Sequence, residues 1–190
     1  MVLMIPDSHP LIEDPGEAME PMLAPFCDFW APGVPKPQPR PKAQIVKSEF
    51  GEPYVHIYTP DNKTHDHARW RESVWRAAQI ILPPEEIPHP IALTVMVYLK
   101  RPQAMMTKSW FDGPIPHAKQ GDLDNFIKAI EDALNPIPGK RRGLWRDDGL
   151  VFFYRQTGKF YAGKNKPTGA YVRLDLIDPA SQVARGGKIK

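Results

Sequence analysis

The sequence predicts an α+β fold of two layers, a mixed β-sheet with two main helices packed on one face. Three observations carry that expectation. Residues 65–82 and 122–135 repeat apolar side chains at helical spacing, each with a polar opposite side. Residues 91–99 and 171–176 are rich in β-branched and aromatic residues and alternate as strands do. The element order β–β–α–β–α–β–β, with short connections near the end, places strands on both sides of each helix, as a sheet with helices on one face requires.

Element by element, the chain opens with residues 1–25, where Pro6, Pro10, Pro15 and Pro21 space out acids. That composition predicts a tail with little structure of its own. A first strand is expected around Phe29-Trp30, within 26–35. Pro35 to Pro41 alternates proline with Lys36, Gln38 and Arg40, which forces an extended path. It reads equally as a basic strap lying against phosphate or as a plain linker. Residues 53–59 form a β-rich segment ending at the turn signal Pro60-Asp61-Asn62. In the helix from His65 to Leu82, Trp70, Val74, Ala77, Ala78 and Ile81 make the buried stripe, and Pro83-Pro84 stops it.

Ile91 to Leu99 predicts a central strand. The long connection 102–121 carries Lys108, Trp110, His117 and Lys119 ahead of the second helix. Lys108 and Lys119 suit phosphates there, and Trp110 suits either an exposed base or the core. Beyond that helix, Lys140, Arg141 and Arg142 form a basic cluster. Leu150 to Arg155 reads as a strand, Gly158 as a turn, Lys159 to Tyr161 as edge structure, and 171–176 as the last strand. One domain over 26–178 is expected, with a basic tail at 179–190.

Composition narrows the function. The chain has 190 residues, 42% of them hydrophobic, enough for one core and short for two. The net charge of +3 is unevenly spread: the first 35 residues hold six acids and no lysine or arginine, leaving +9 for the rest. A basic body suits a polyanionic partner. Cys27 is the single cysteine, so no internal disulfide can form, which fits a reducing compartment. No signal-peptide pattern opens the chain and no apolar run approaches a membrane span, so a soluble cytoplasmic protein without a membrane partner is expected. Neither a glycine-rich phosphate loop nor a Cys/His zinc pattern is visible.

The chemistry concentrates in Gly121-Asp122-Leu123-Asp124-Asn125 and the helix behind it, followed by Trp145-Arg146-Asp147-Asp148. Asp122 and Asp124 sit two apart at the helix start, so their carboxylates can converge. Lys128 follows Asp124 by four and faces the same way. Leu123, Phe126, Ile127, Ile130 and Leu134 take the opposite side, leaving Asn125, Lys128 and Asp132 outward. Hard carboxylate oxygens with a lysine suit a divalent cation and a phosphoryl transition state, which points to a metal-dependent nuclease. The plainer alternative makes the acids helix caps and the lysine a surface ion-pair partner.

At these residues the chain resembles a known family, the RusA-type Holliday-junction resolvases, endodeoxyribonucleases of phages and bacteria. Asp122-Leu123-Asp124-Asn125 with Lys128, Asp132-Ala133-Leu134-Asn135 and Trp145-Arg146-Asp147-Asp148 carry the resemblance, over roughly residues 29–178. The run Pro35–Pro41, Lys108-Ser109-Trp110 and His117-Ala118-Lys119 add to it and resemble the phage branch. The resemblance implies Asp122, Asp124 and Asp148 as metal-binding and catalytic carboxylates, with Lys128 as the catalytic lysine. It implies Mg²⁺, with Mn²⁺ as a substitute, a homodimer, and a four-way junction or other branched DNA as partner in recombination and repair. The expected phosphate contacts are Lys36, Arg40, Lys108, Lys119, Lys140, Arg141 and Arg142. Two departures from the family pattern, the lengthened Pro136–Gly143 connection and Gly149 after the acid pair, keep Asp147 as a reserve ligand. The alternatives are a metal-dependent phosphoesterase acting on a small substrate and a non-catalytic module that binds branched DNA.

Overall fold

A computed structural model describes residues 23–58, 66–119 and 121–177. The expected tails at 1–25 and 179–190 fall outside the described residues, apart from 23–25, as does the His65 start of the first helix. Strands β1 (Leu23–Pro32), β4 (Ile91–Leu99), β5 (Ile115–Pro116), β6 (Val151–Tyr161) and β7 (Gly169–Ile177) form a five-stranded sheet in the order β1-β7-β4-β6-β5. β4 and β6 are parallel and the other pairs antiparallel, so the sheet is mixed. Helices α1 (Asp66–Ala78) and α2 (Leu123–Leu134) complete the α+β architecture that the alternating periods predict.

Cross-strand register explains the core. Phe29 pairs with Val172, which pairs with Val95, and Ala31 pairs with Ala170, which pairs with Val97. With Leu93 and Leu174, these side chains form one continuous apolar face. Against it pack Trp70, Val74 and Ala78 of α1 and Phe126, Ala129, Ile130, Ala133 and Leu134 of α2. Arg71 of α1 donates to the Asp132 carbonyl at 2.8 Å, and Trp75 is buried beneath the Arg141 guanidinium, 4.3 Å from its ring centre. Arg71 therefore ties the two helices together. The opposite sheet face carries Trp30, Tyr98, Phe160 and Tyr171, and no helix covers it among the described residues.

Three local expectations are corrected. A strand β2 (Lys42–Lys47) pairs antiparallel with β3 (Pro53–Tyr58) in a separate two-stranded ribbon. Its six residues follow a proline run and show no length or periodicity that reads as a strand. Gly158 is not a turn: β6 runs unbroken through it because the parallel ladder to β4 continues, with Met96 opposite Gly158 and Leu99 opposite Tyr161. β6 and β7 do not pair with each other, since β4 lies between them. The 102–121 connection is also more ordered than a bare loop. Buried Arg101 donates to the carbonyls of Ala162 at 3.0 Å and Phe111 at 2.7 Å, and to that of Gly113.

The α2 core face sets the stability of the element that carries the acidic motif. Ile130 is fully buried, so Ile130→Ala is expected to cost about 2–5 kcal/mol in urea denaturation. It should leave cleavage intact at temperatures where the variant remains folded, because Ile130 points away from the acids.

Candidate active site

The loop into α2 is shaped before the helix begins. Gly121 has φ +93°, and an added Cβ would stand 2.7 Å from the Phe126 ring, so a glycine is needed there. Lys159 of β6 donates to the carbonyl oxygens of Gly121 and Lys119, the latter at 3.0 Å. Asp122 then occupies the N-cap position of α2, yet its carboxylate makes no capping hydrogen bond. It accepts instead from Arg40 at 2.7 Å, and the same guanidinium nitrogen lies 3.6 Å from Asp124. One cationic group thus spans both carboxylates, and the plain capping reading does not describe Asp122. The proline segment is held over this point by the Gln38 backbone N–H, which donates to the Asn125 carbonyl at 2.8 Å.

A second cluster lies farther along α2. The Lys128 ammonium sits 2.5 Å from Asp148 and 3.2 Å from Asp132. The hydrogen bond to Asp148 is the main influence raising the Lys128 pKa, so the side chain is a cation at neutral pH. The same bond holds the Asp148 carboxyl below the usual aspartate range, helped by the Asn135 side chain. Asp147 and Asp148 separate in role. Asp147 caps a short 3-10 turn at 148–150 by accepting from the Gly149 N–H at 2.7 Å, while Asp148 faces Lys128. The acid pair therefore lies in a turn ahead of β6, not in the strand itself.

The donor chemistry suits a hard divalent cation: carboxylate oxygens, with Asp122 and Asp124 already converging on a single cation. Asp148 stands apart with Lys128. Among the described residues, no three His, Cys, Asp or Glu side chains are gathered closely enough to hold one metal ion. The Asp122 and Asp124 side chains are 64% and 70% exposed, which opens this part of the site to a large polyanion.

The expected phosphate contacts divide by environment. Arg40 lies at the acids, and Lys36 pairs with Asp66 at 3.2 Å beside α1. Lys108, Lys119 and Lys140 are exposed. Arg142 is exposed but donates to the Pro83 carbonyl at 2.5 Å and to that of Pro84. Arg141 is committed to packing, over Trp75 and onto the Ala133 carbonyl at 2.6 Å. Trp110, which could have packed into the core, is 41% exposed. Burial pushes the Cys27 thiol up to about 12, leaving it un-ionised and unsuited to nucleophilic attack at neutral pH.

The family model of the RusA endodeoxyribonucleases matches residues 32–174, which include all the carboxylates, Lys128 and the expected phosphate contacts but not Cys27. The chain belongs to the RusA endodeoxyribonuclease family. No match was found among curated proteins. Membership makes the protein a nuclease of the Holliday-junction-resolvase type, a family whose enzymes generally depend on a divalent metal. No described helix is long and apolar enough to cross a membrane.

Sequence reasoning missed a buried acid on the same helix. Glu131 is buried, 6% exposed, and accepts a hydrogen bond from the Tyr154 hydroxyl. A glutamate between Ile130 and Asp132 carries no sequence signal of burial. Only the position of β6 beside α2 reveals it.

Burial raises the Glu131 pKa above the ordinary glutamate value, more than the Tyr154 bond and Lys128 lower it. The native state therefore holds this proton more tightly than the unfolded chain, and stability falls as pH rises through the raised value. Glu131→Gln removes that slope. Its melting temperature minus that of wild type should be larger at pH 7 than at pH 4, and an equal difference at both would contradict the assignment.

Proposed function

We propose that this protein is a divalent-metal-dependent endonuclease that resolves four-way DNA junctions in recombination and repair, acting in the cytoplasm as a homodimer. The observation that carries the reading is α2 itself. Its outward face presents a converging carboxylate pair, then a lysine held ionised against a third carboxylate. The exposure of the pair favours a polymer over a small phosphate ester, which calls for an enclosing pocket.

In this reading Asp122 and Asp124, joined by Asp148, would hold Mg²⁺, or Mn²⁺ in its place. Such an ion would supply Lewis acidity toward the scissile phosphate and a water of lowered pKa. Lys128 offsets the negative charge that develops on the phosphoryl oxygens as the bond breaks. Arg40 is a planar fork suited to two phosphate oxygens and lies beside the acids, so it docks the strand to be cut. Lys36, Lys108, Lys119, Lys140 and Arg142 hold the flanking backbone, exposed Trp110 meets an unstacked base, and Arg141 contributes charge from its packed position. A twofold dimer presents two such sites to the two equivalent strands of a junction.

Asp122→Asn and Asp124→Asn are expected to abolish cleavage of a four-way junction in Mg²⁺ while retaining folding and junction binding. A wild-type rate from either variant would overturn the assignment. Asp148→Asn should lose far more activity than Asp147→Asn, and equal losses would show that the wrong acid has been assigned.

Lys128→Ala separates catalysis from stability. Lys128 and Asp148 are both partly exposed, so their pair contributes about 0–1 kcal/mol and the melting temperature should barely move. Loss of a transition-state charge should instead slow single-turnover cleavage by about 10²–10³. Normal cleavage by the folded variant would remove Lys128 from the mechanism.

A further inference from the structure

β6 leaves the acid turn as an open edge strand. β5 meets it only at Phe160 and Tyr161, so among the described residues Val151 to Gln156 pair on the β4 side alone. The ladder to β4 is broken twice in this stretch. Val151 and Phe153 stand opposite the adjacent Ile91 and Ala92, and Tyr154 and Gln156 stand opposite the adjacent Leu93 and Thr94. Each shift inserts one residue without a β4 partner, Phe152 in the first and Arg155 in the second. Irregularities of this kind re-aim a side chain, and they gather at sheet edges and beside active sites. The two re-aimed groups are a phenyl ring that is 61% exposed and a guanidinium. Only Val151 separates Phe152 from the Asp148–Leu150 turn.

We propose that Phe152 is a base-stacking contact that recognises the exchange point of branched DNA. The inference rests on the reading of the protein as a junction nuclease. Phe153 braces the outer ring, the two centroids 6.3 Å apart and the planes inclined at 44°. Tyr154 is tied to α2 by its hydroxyl bond to Glu131, which leaves Phe152 the most exposed of the three rings. A second copy of the chain is the weaker occupant. Two half-exposed phenyl rings offer roughly 200 Å² between them, against about 800 Å² on each side of a stable protein interface. The surrounding charge favours DNA as well. Exposed Arg146 precedes the acid pair, and Arg155 follows the rings, 3.6 Å from the buried Asp175. Of the nearby acids, Asp147 caps the turn and Asp148 meets Lys128. Cations on either side of an aromatic pair suit a base flanked by its phosphates. A base face free to stack exists at the exchange point of a four-way junction and not within a continuous duplex, so this contact tells the two apart.

The test compares wild type with Phe152→Ala, Phe152→Leu and Phe152→Trp. Affinity for a fixed four-way junction and for a linear duplex of the same sequence is measured in EDTA, where a metal-dependent cut does not occur. Oligomeric state is followed by sedimentation velocity. Phe152→Ala and Phe152→Leu are expected to weaken junction binding by about 5–150-fold, the loss of one base–aromatic stack. Duplex binding should stay within about twofold, because a duplex offers no unstacked base. Phe152→Trp should bind the junction as wild type does, since any aromatic face can stack. All three should melt as wild type does and keep its oligomeric state, because the ring is largely exposed.

Unchanged junction affinity in Phe152→Ala would overturn the contact, as would equal losses on junction and duplex or full retention by Phe152→Leu. A smaller sedimenting species in Phe152→Ala would assign the ring to a second copy of the chain and overturn the proposal too. Should Phe152→Ala not fold, Phe152→Leu decides the question by the same readouts. Wild-type cleavage of the junction in Mg²⁺ is measured alongside. A wild type that cuts the junction while Phe152→Ala binds it normally overturns the stacking contact alone. A wild type that neither prefers nor cuts the junction overturns the nuclease reading beneath it.

Discussion

The site depends on one constraint, the return of residues 136–147 to the C-terminal end of α2. The Leu144 N–H donates to the Leu134 carbonyl at 2.8 Å, closing the excursion that began at the helix end. Ile137 and Arg141 bridge to make a small turn, and the Ile87 backbone clasps the segment on both sides of Trp145. Gly143 allows the close approach, because a Cβ there would lie 2.5 Å from the Trp145 carbonyl oxygen and 2.6 Å from the Pro136 nitrogen. Without this closure Asp148, twenty residues from Lys128 in sequence, would have no reason to meet it. The Pro136–Gly143 segment is therefore a folded turn, locked by Arg141 over Trp75.

The helix between the two clusters divides its labour by face. Each apolar side chain that α2 fully buries contributes about 1.5–3 kcal/mol, while each exposed ion pair on the other face contributes about 0–1 kcal/mol. Stability therefore resides in Phe126, Ile130 and Leu134, and the polar face is free to be selected for chemistry. Mixed pairing serves the same end. Because β4 and β6 are parallel, the chain must cross over between them, and α2 is that crossover. The helix start then follows the connection from the end of β4, where Lys159 of β6 grips the loop that carries Gly121.

How much of this was legible in the sequence depended on range. The helix at 122–135, its buried stripe and the outward set Asp122, Asp124 and Lys128 follow from a local 3.6-residue period, and the helix lies where that period puts it. The β2–β3 ribbon was half missed, because Lys42–Lys47 is short and buries none of its apolar residues fully, Ile45 being 77% exposed. Gly158 misled because a glycine between polar residues reads as a turn, whereas the ladder to β4 overrides that preference. Buried charge was illegible altogether. Glu131 and Arg101 look solvent-facing in sequence, and only tertiary neighbours, Tyr154 for one and three backbone carbonyls for the other, explain their burial. Asp147 and Asp148 do face different ways, as the sequence suggests, but a turn and not the entry to a strand separates them.

The central claim is that the outward face of α2 hydrolyses phosphodiesters in branched DNA with the help of a divalent cation. It is tested most directly by incubating the protein with a fixed four-way junction, a linear duplex of the same sequence and a chromogenic phosphate monoester, each with and without Mg²⁺. The account predicts paired cuts in the junction only when Mg²⁺ is present, far slower cutting of the duplex and no turnover of the ester. Hydrolysis of the ester without junction cleavage, or junction binding that never leads to a cut in Mg²⁺, would contradict it.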